Sequence, residues 1–392
     1  MGASEITGAG NWNDVRERHP DLVDRLEAGL HIGDVLAYDV IDEMHALDDF
    51  TWRDISRILD DPLALIDDAP HCLRALLDTA STPPPWFDPA LAQAGGRAWW
   101  KFGTLQSSTL YQSLIYGYQA RGFVRPLAAT GQFEEHTYDR VLGTGRWVTL
   151  ATAPGQMLPG NAGWAQTLRI RLIHAMVRHH LVTEGGWDVA EWGVPISQTY
   201  SALTISGGFL ALPMNVARDF GIQYSAAELE AIAHLWRWIG WVIGVEEQLL
   251  PNNFGAAKEL FDVGAQFDLE PDESSKTLTR ALLREGYRID VPLMPGPMSG
   301  LMNFMLRPML AMSFSAISTR WMDKPSAGNL GLRRTPLHHI VDVARPAVRF
   351  REVARVIGLL GDEDRVLRRE LHVVMRGLGM NAHEIAQVDS VA

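Results

Sequence analysis

The stretch Leu168-Arg-Ile-Arg171-Leu-Ile-His174-Ala-Met-Val-Arg178-His179-His180-Leu181 decides how this chain is read. On an α-helix Arg171, His174 and Arg178 stand at i, i+3 and i+7, so all three project from one narrow stripe. Most other positions are apolar: Leu168, Ile170, Leu172, Ile173, Met176, Val177 and Leu181. A helix that is apolar nearly all round is normally buried. Two guanidiniums flanking an imidazole inside a core need a reason, because unpaired buried charge is costly. An anionic cofactor held by an axial histidine supplies one. The rival is the wet stripe of an ordinary helix, and spacing alone does not choose between them.

The pattern around this stretch is helical throughout. Upstream, Tyr138-Asp-Arg140-Val-Leu-Gly-Thr144 lies in a pattern that predicts a helix from about Phe133 to Thr152, although Gly143 and Gly145 weaken it. Arg140 and Thr144 are one turn apart there and can face one pocket. Ala153 to Gly160 is a loop, and Glu184-Gly-Gly186 stops the His174 helix. Thr199 to Leu212 predicts an apolar helix, and Ser225-Ala-Ala-Glu228 is a capping box opening another. Helical patterns also cover Phe102 to Tyr118, with Pro126 interrupting after them, and the stretches 256–287, 300–320 and 346–378. Before the break at Thr82-Pro-Pro-Pro-Trp86, shorter amphipathic patterns such as Asp21–Leu30 and Asp54–Leu59 predict helices packed on the main body. There are no useful alternating runs and no internal repeat. The expected fold is mainly α, with an N-terminal helical extension over 1–80 and a helical domain over 81–392.

Bulk composition narrows the function. The net charge of −12 argues against general nucleic-acid binding, which needs a basic surface. Thirteen tryptophans suit a core that walls off an apolar cavity. With Cys72 as the single cysteine, neither an internal disulfide nor a thiolate cluster can form. The N-terminus carries no basic stretch leading into an apolar one, which predicts a cytoplasmic protein, and no run reaches the length of a clean transmembrane helix. Nucleotide and hydrolase motifs fail. Gly143-Thr-Gly145 lacks the third glycine of a dinucleotide loop, and Asn161 follows Gly160 where a P-loop requires lysine. No G-x-S-x-G elbow or H-E-x-x-H occurs. The pairs His179-His180 and His338-His339 diverge by about 100° on a helix and suit no chelate.

Taken together, several motifs resemble the haem b oxygenases typified by bacterial latex-clearing proteins and by the fungal oxygenase that shortens a prenyl chain in mycophenolate biosynthesis. The residues are Pro85-Trp-Phe-Asp88, Arg140-x-x-x-Thr144, Arg171-x-x-His174-x-x-x-Arg178-His179, Trp192-Gly-Val-Pro-Ile-Ser-Gln198, Leu235-Trp-Arg-Trp-Ile-Gly240 with Gly244-Val245, and Leu250-Pro251. The resemblance implies a globin-like helical core with His174 as proximal ligand to haem b iron. Arg171, Arg178 and His179 would support the haem and its propionates, with Arg140 and Thr144 as functional polar residues near it. The chemistry implied is oxidative cleavage of an isoprenoid C=C bond with O2. One departure stands out. Latex-clearing proteins carry a lysine, able to cap the iron, directly before that threonine, and this chain has Gly143. The departure, with the missing export signal, predicts a smaller apolar substrate than polymeric rubber.

The residue types suit that chemistry on their own terms. A neutral imidazole is a good axial donor that leaves the opposite position open. A distal arginine stabilises negative charge developing on bound oxygen. Blander roles stand beside these: Arg140 as half of an ion pair with Asp139 or Glu135, Thr144 bonding its own helix backbone, Arg237 as a structural ion pair, and the tryptophans of 236–241 as core. At the level of function, the alternative is a haem-binding sensor or carrier without turnover.

Overall fold

The computed structural model describes residues 12–129, 137–267, 271–286 and 312–389. Among them every regular element is helical and there is no strand, as the periodicity predicts. At the centre, the Arg140 helix (Thr137–Thr152) and the His174 helix (Ala162–Thr183) form a hairpin. Trp147 Nε1 donates to Thr167 Oγ1 at 2.9 Å, and Gly163 lies so close to the Leu150 carbonyl that a Cβ there would sit 2.7 Å from the oxygen. These two contacts fix an antiparallel register. Two turns beyond Thr167 comes His174, and two turns before Trp147 comes Arg140. The two sequence motifs therefore face one another at one level of the hairpin.

Two layers pack around it. The Ala226–Val242 helix lies along the Pro89–Trp99 helix, and the Val35–Ala46 helix covers the His174 helix. Trp99, Trp164, Trp236 and Trp238 are fully buried in this core. Phe87 stacks on Trp238 at 4.2 Å and the Arg237 guanidinium sits 3.9 Å from the Trp86 ring centre, so the Pro85–Asp88 and Leu235–Gly240 motifs meet. Arg237 also pairs with Glu247 at 3.3 Å, the structural use its sequence suggests. The N-terminal helices share this core: Val15, Leu26, Ile41, Ile58 and Leu76 join the cluster that holds Leu168 and Trp236. Ser225 caps the Ala226–Val242 helix in the capping box read from the sequence.

Five stretches differ in detail from their patterns, among them 256–287, which holds two helices, Phe254–Gly264 and Glu273–Gly286. The one expected over Phe102–Tyr118 begins as a 3-10 segment, Trp100–Ser107, because Gly103 turns the chain at φ 65° past the Arg351–Glu370 ion pair. Pro126 lies inside the Arg121–Ala129 helix, where it forgoes one backbone bond without ending it. The apolar stretch after Ser197 winds as a π-helix over Leu203–Ala211, and Pro213 offers no N–H to the Phe209 carbonyl. The stretch 346–378 is two helices, Ile340–Val356 and Glu363–Gly377, with a turn between them. Of the stretch 300–320, residues 300–311 lie outside the described residues.

Candidate active site

The three stripe residues of the His174 helix come to lie side by side, each in a different bonding state. Arg171 is fully engaged. Its Nε and Nη2 donate to Asp34 at 2.6 and 2.9 Å, and Nη1 donates to the Val242 carbonyl at 3.2 Å. Both members of the pair are buried, which demands this fork geometry. Asp34 also caps the Val35–Ala46 helix through the Ala37 N–H. Gly244, at φ 94°, lets the chain pass: a Cβ there would collide with Asp34 and sit 2.6 Å from Arg171 Nε.

Arg178 is half engaged. Nε donates to the Pro195 carbonyl at 3.0 Å and Nη2 to that of Ile196 at 2.7 Å. Nη1 is buried with no hydrogen-bond partner among the described residues. Burial lowers the pKa of this guanidinium, with Asp34 opposing and Arg171 adding to the effect. Ile196 holds its carbonyl there at φ 52°, a left-handed conformation that costs a β-branched residue. The Trp192–Gln198 segment is anchored for this purpose: Val194 N–H donates to Leu30 O, Gln198 N–H to Ile32 O, and Gln198 Nε2 to Gly244 O.

His174, between them, makes no hydrogen bond among the described residues. Its ring is half-buried. Burial pushes its pKa down to about 4, Arg178 pushes the same way and Asp34 opposes. The imidazole is therefore neutral at pH 7.

Across the hairpin, the Arg140 side chain hydrogen-bonds Tyr118, whose pKa burial raises and Arg140 lowers. Among the described residues, Arg140 Nη2 is buried without a partner. Thr144 Oγ1 donates to the Arg140 carbonyl at 2.9 Å, the backbone bond expected of a helix threonine. A Cβ on Gly143 would meet nothing within 4 Å, so open space lies where a longer residue would project. His179 lies against the Val35–Ala46 helix, 3.6 Å from Asp42 and stacked on His45 at 4.7 Å. His180 turns away to Glu184 at 3.2 Å, so the adjacent pair diverges as geometry requires. Glu134 and Glu135 lie outside the described residues.

An adjoining face of the Arg140 helix, with Val141, Leu142, Gly145 and Val148, lines a cavity of about 530 Å³, bounded elsewhere by Leu110, Tyr111, Phe209 and Phe220. That lining is mainly apolar, with Gln106, Gln112 and Thr149 among its polar members, and the volume suits a drug-sized molecule. Sequence reasoning missed Asp34 and Tyr118, the partners of Arg171 and Arg140. Asp34 carried a usable sign, an aspartate directly before an apolar run, which is a helix N-cap signature.

A family model described as "ER-bound oxygenase mpaB/B'/Rubber oxygenase, catalytic domain" matches residues 100–359. The chain belongs to this oxygenase family. Within its matched span fall Arg140, Thr144, Arg171, His174 and Arg178, whereas Asp34 precedes it. A rubber oxygenase of Streptomyces sp. (strain K30) is 25% identical over 202 residues, covering 50% of this chain and 48% of that protein. The chain thus aligns with about half the length of this curated relative. The solved structure of latex clearing protein LCP in its closed state matches with a TM-score of 0.65 at 21% identity, over 86% of this chain and 88% of the other. The overall fold is shared with that protein.

Proposed function

We propose that this chain is a haem b-dependent oxygenase that uses O2 to oxidise an apolar isoprenoid or other unsaturated, lipid-like substrate, cleaving a C=C bond. The observation that carries the reading is His174: a neutral, unbonded imidazole beside a buried guanidinium with a spare N–H, on an otherwise apolar helix. A neutral ring nitrogen is the axial donor that haem iron takes. The buried, unpartnered Nη1 of Arg178 and Nη2 of Arg140 are orphan cationic donors of the kind an anionic propionate or a developing oxyanion would satisfy. The residues present therefore fit the group.

Bound haem would supply the activation of O2; the chain's own residues bind, orient and exclude water. His174 would ligate the iron. Arg178 would meet a propionate through Nη1 while its other nitrogens stay fixed on the Pro195 and Ile196 carbonyls. Arg171 would act by position, locking the helix to Asp34, and His179 likewise through its packing on His45. Arg140 Nη2 holds a proton free to donate. Thr144 has given its own to the Arg140 carbonyl, so it presents lone pairs to the hairpin and serves as an acceptor. Gly143 leaves room beside them for a substrate, and the apolar cavity on the adjoining face suits a chain of hydrocarbon.

The test is the absorption spectrum of protein produced with added haem precursor, oxidised, reduced and under carbon monoxide. A Soret band that shifts with each step, and is lost in His174→Ala without loss of helical circular dichroism, is the expected result. A colourless wild type after reconstitution, or full haem retention in His174→Ala, overturns the ligand assignment. Oxygen uptake with a terpenoid then separates an enzyme from a carrier or sensor.

A further inference from the structure

The Ile340–Val356 helix is turned inside out. Its inward face carries charge: Arg345 bonds Asp219, Arg351 bonds Glu370 and the Lys101 carbonyl, and buried Glu352 bonds Arg355 and Lys101. Only Val341, Val348 and Ala354 add buried apolar surface there. Its outward face is apolar. Val343, Phe350 and Ile357 recur every seven residues and are 77%, 72% and 68% exposed, with Val353 beside them and Val356 and Leu359 prolonging the ridge. A contiguous exposed apolar patch of this kind marks an interaction surface.

Two observations say what covers it. First, residues 333–376 carry ten arginines against six acidic residues, a surplus of four cations in a chain whose net charge is −12. Exposed Arg333, Arg334 and Arg349 lie in this segment. A second copy apposed across a two-fold axis would bring like charge against like; an anionic surface would attract it. Second, Ile340 and Ala344 of the same helix line the apolar cavity, so the ridge continues into the cavity wall. Among the described residues no helix is long and apolar enough to cross a membrane, which leaves a helix lying in the plane.

We propose that the Ile340–Val356 helix docks on an anionic lipid bilayer, seating Val343, Phe350 and Ile357 among the acyl chains with arginines at the headgroups, and that apolar substrate enters the cavity from the bilayer past Ile340. Docking stands on the geometry alone; the entry of substrate rests on the proposed oxygenase function.

The experiment is co-sedimentation of the full chain with vesicles of phosphatidylcholine, with and without phosphatidylglycerol. The wild type is expected to bind the anionic vesicles and to release as salt rises, and the F350E/I357E variant to bind them about tenfold or more weakly. Both side chains lie outside the core, so an unchanged thermal melt confirms that the variant folds. Failure of the wild type to bind, or equal binding by the variant, overturns docking. So does a wild-type dimer in light scattering that the variant makes monomeric, which would assign the ridge to self-association. Vesicle binding is read without turnover, so its failure leaves the oxygenase reading intact, and loss of that reading leaves docking intact.

Discussion

His174 is held neutral by its surroundings, and that has a thermodynamic consequence. Its pKa is about 4 in the folded protein against 6.5 ordinarily. Between these values the unfolded chain takes up the proton and the folded one does not, so acid favours unfolding. The stability is fully present above pH 6.5 and is lost progressively as pH falls towards 4, up to roughly 3 kcal/mol from this one group. Urea titrations of the haem-free protein at stepped pH should show that slope in the wild type and a shallower one in His174→Gln; parallel slopes would contradict it. Gly143 gives a second prediction. Its would-be Cβ meets open space in a helix interior, so Gly143→Ala should raise stability by about 0.5–1 kcal/mol in the same assay.

At the scale of elements, the Asp34–Arg171 fork joins three pieces of chain: the Val35–Ala46 helix, the His174 helix and the end of the Ala226–Val242 helix. Removing one partner leaves a buried charge alone. Asp34→Ala should therefore cost about 3–5 kcal/mol, and the double variant with Arg171→Met should recover part of it. Additive losses in a double-mutant cycle would mean the pair is not coupled. The capping box at Ser225 is a local device by contrast, and Ser225→Ala should cost about 1 kcal/mol with no change in haem content.

For the whole molecule, the Arg140 helix joins the His174 side to the apolar cavity, with Arg140 and Thr144 on one stripe and Val141, Gly145 and Val148 on the adjoining one. If the cavity receives the hydrocarbon chain, Val148→Phe should shorten the range of substrates oxidised and raise KM for long ones, while the Soret band stays. Unchanged KM across chain lengths would place the substrate elsewhere. The same variant should keep its vesicle binding, since Val148 is remote in sequence and face from the Phe350 ridge.

Periodicity and local chemistry determined much of this protein directly. They specify an all-α chain, the hairpin bearing Arg140 and His174, the Ser225 cap and the ordered motifs that mark the family, because each depends on residues within a few turns of one another. Tertiary structure decided what each polar group does. Arg171 and Arg178 look equivalent on a helical wheel, yet one is saturated by Asp34, far away in sequence, and the other keeps a free N–H because its carbonyl partners sit on the Trp192–Gln198 turn. The family resemblance set His179 beside them as a support for the haem, and the fold packs its ring on His45. The outward apolar ridge was equally hidden, since a heptad pattern shows that a face is apolar but not whether the chain folds it inward. Burial and pairing depend on contacts between segments far apart in the sequence, and those arise only when the helices pack.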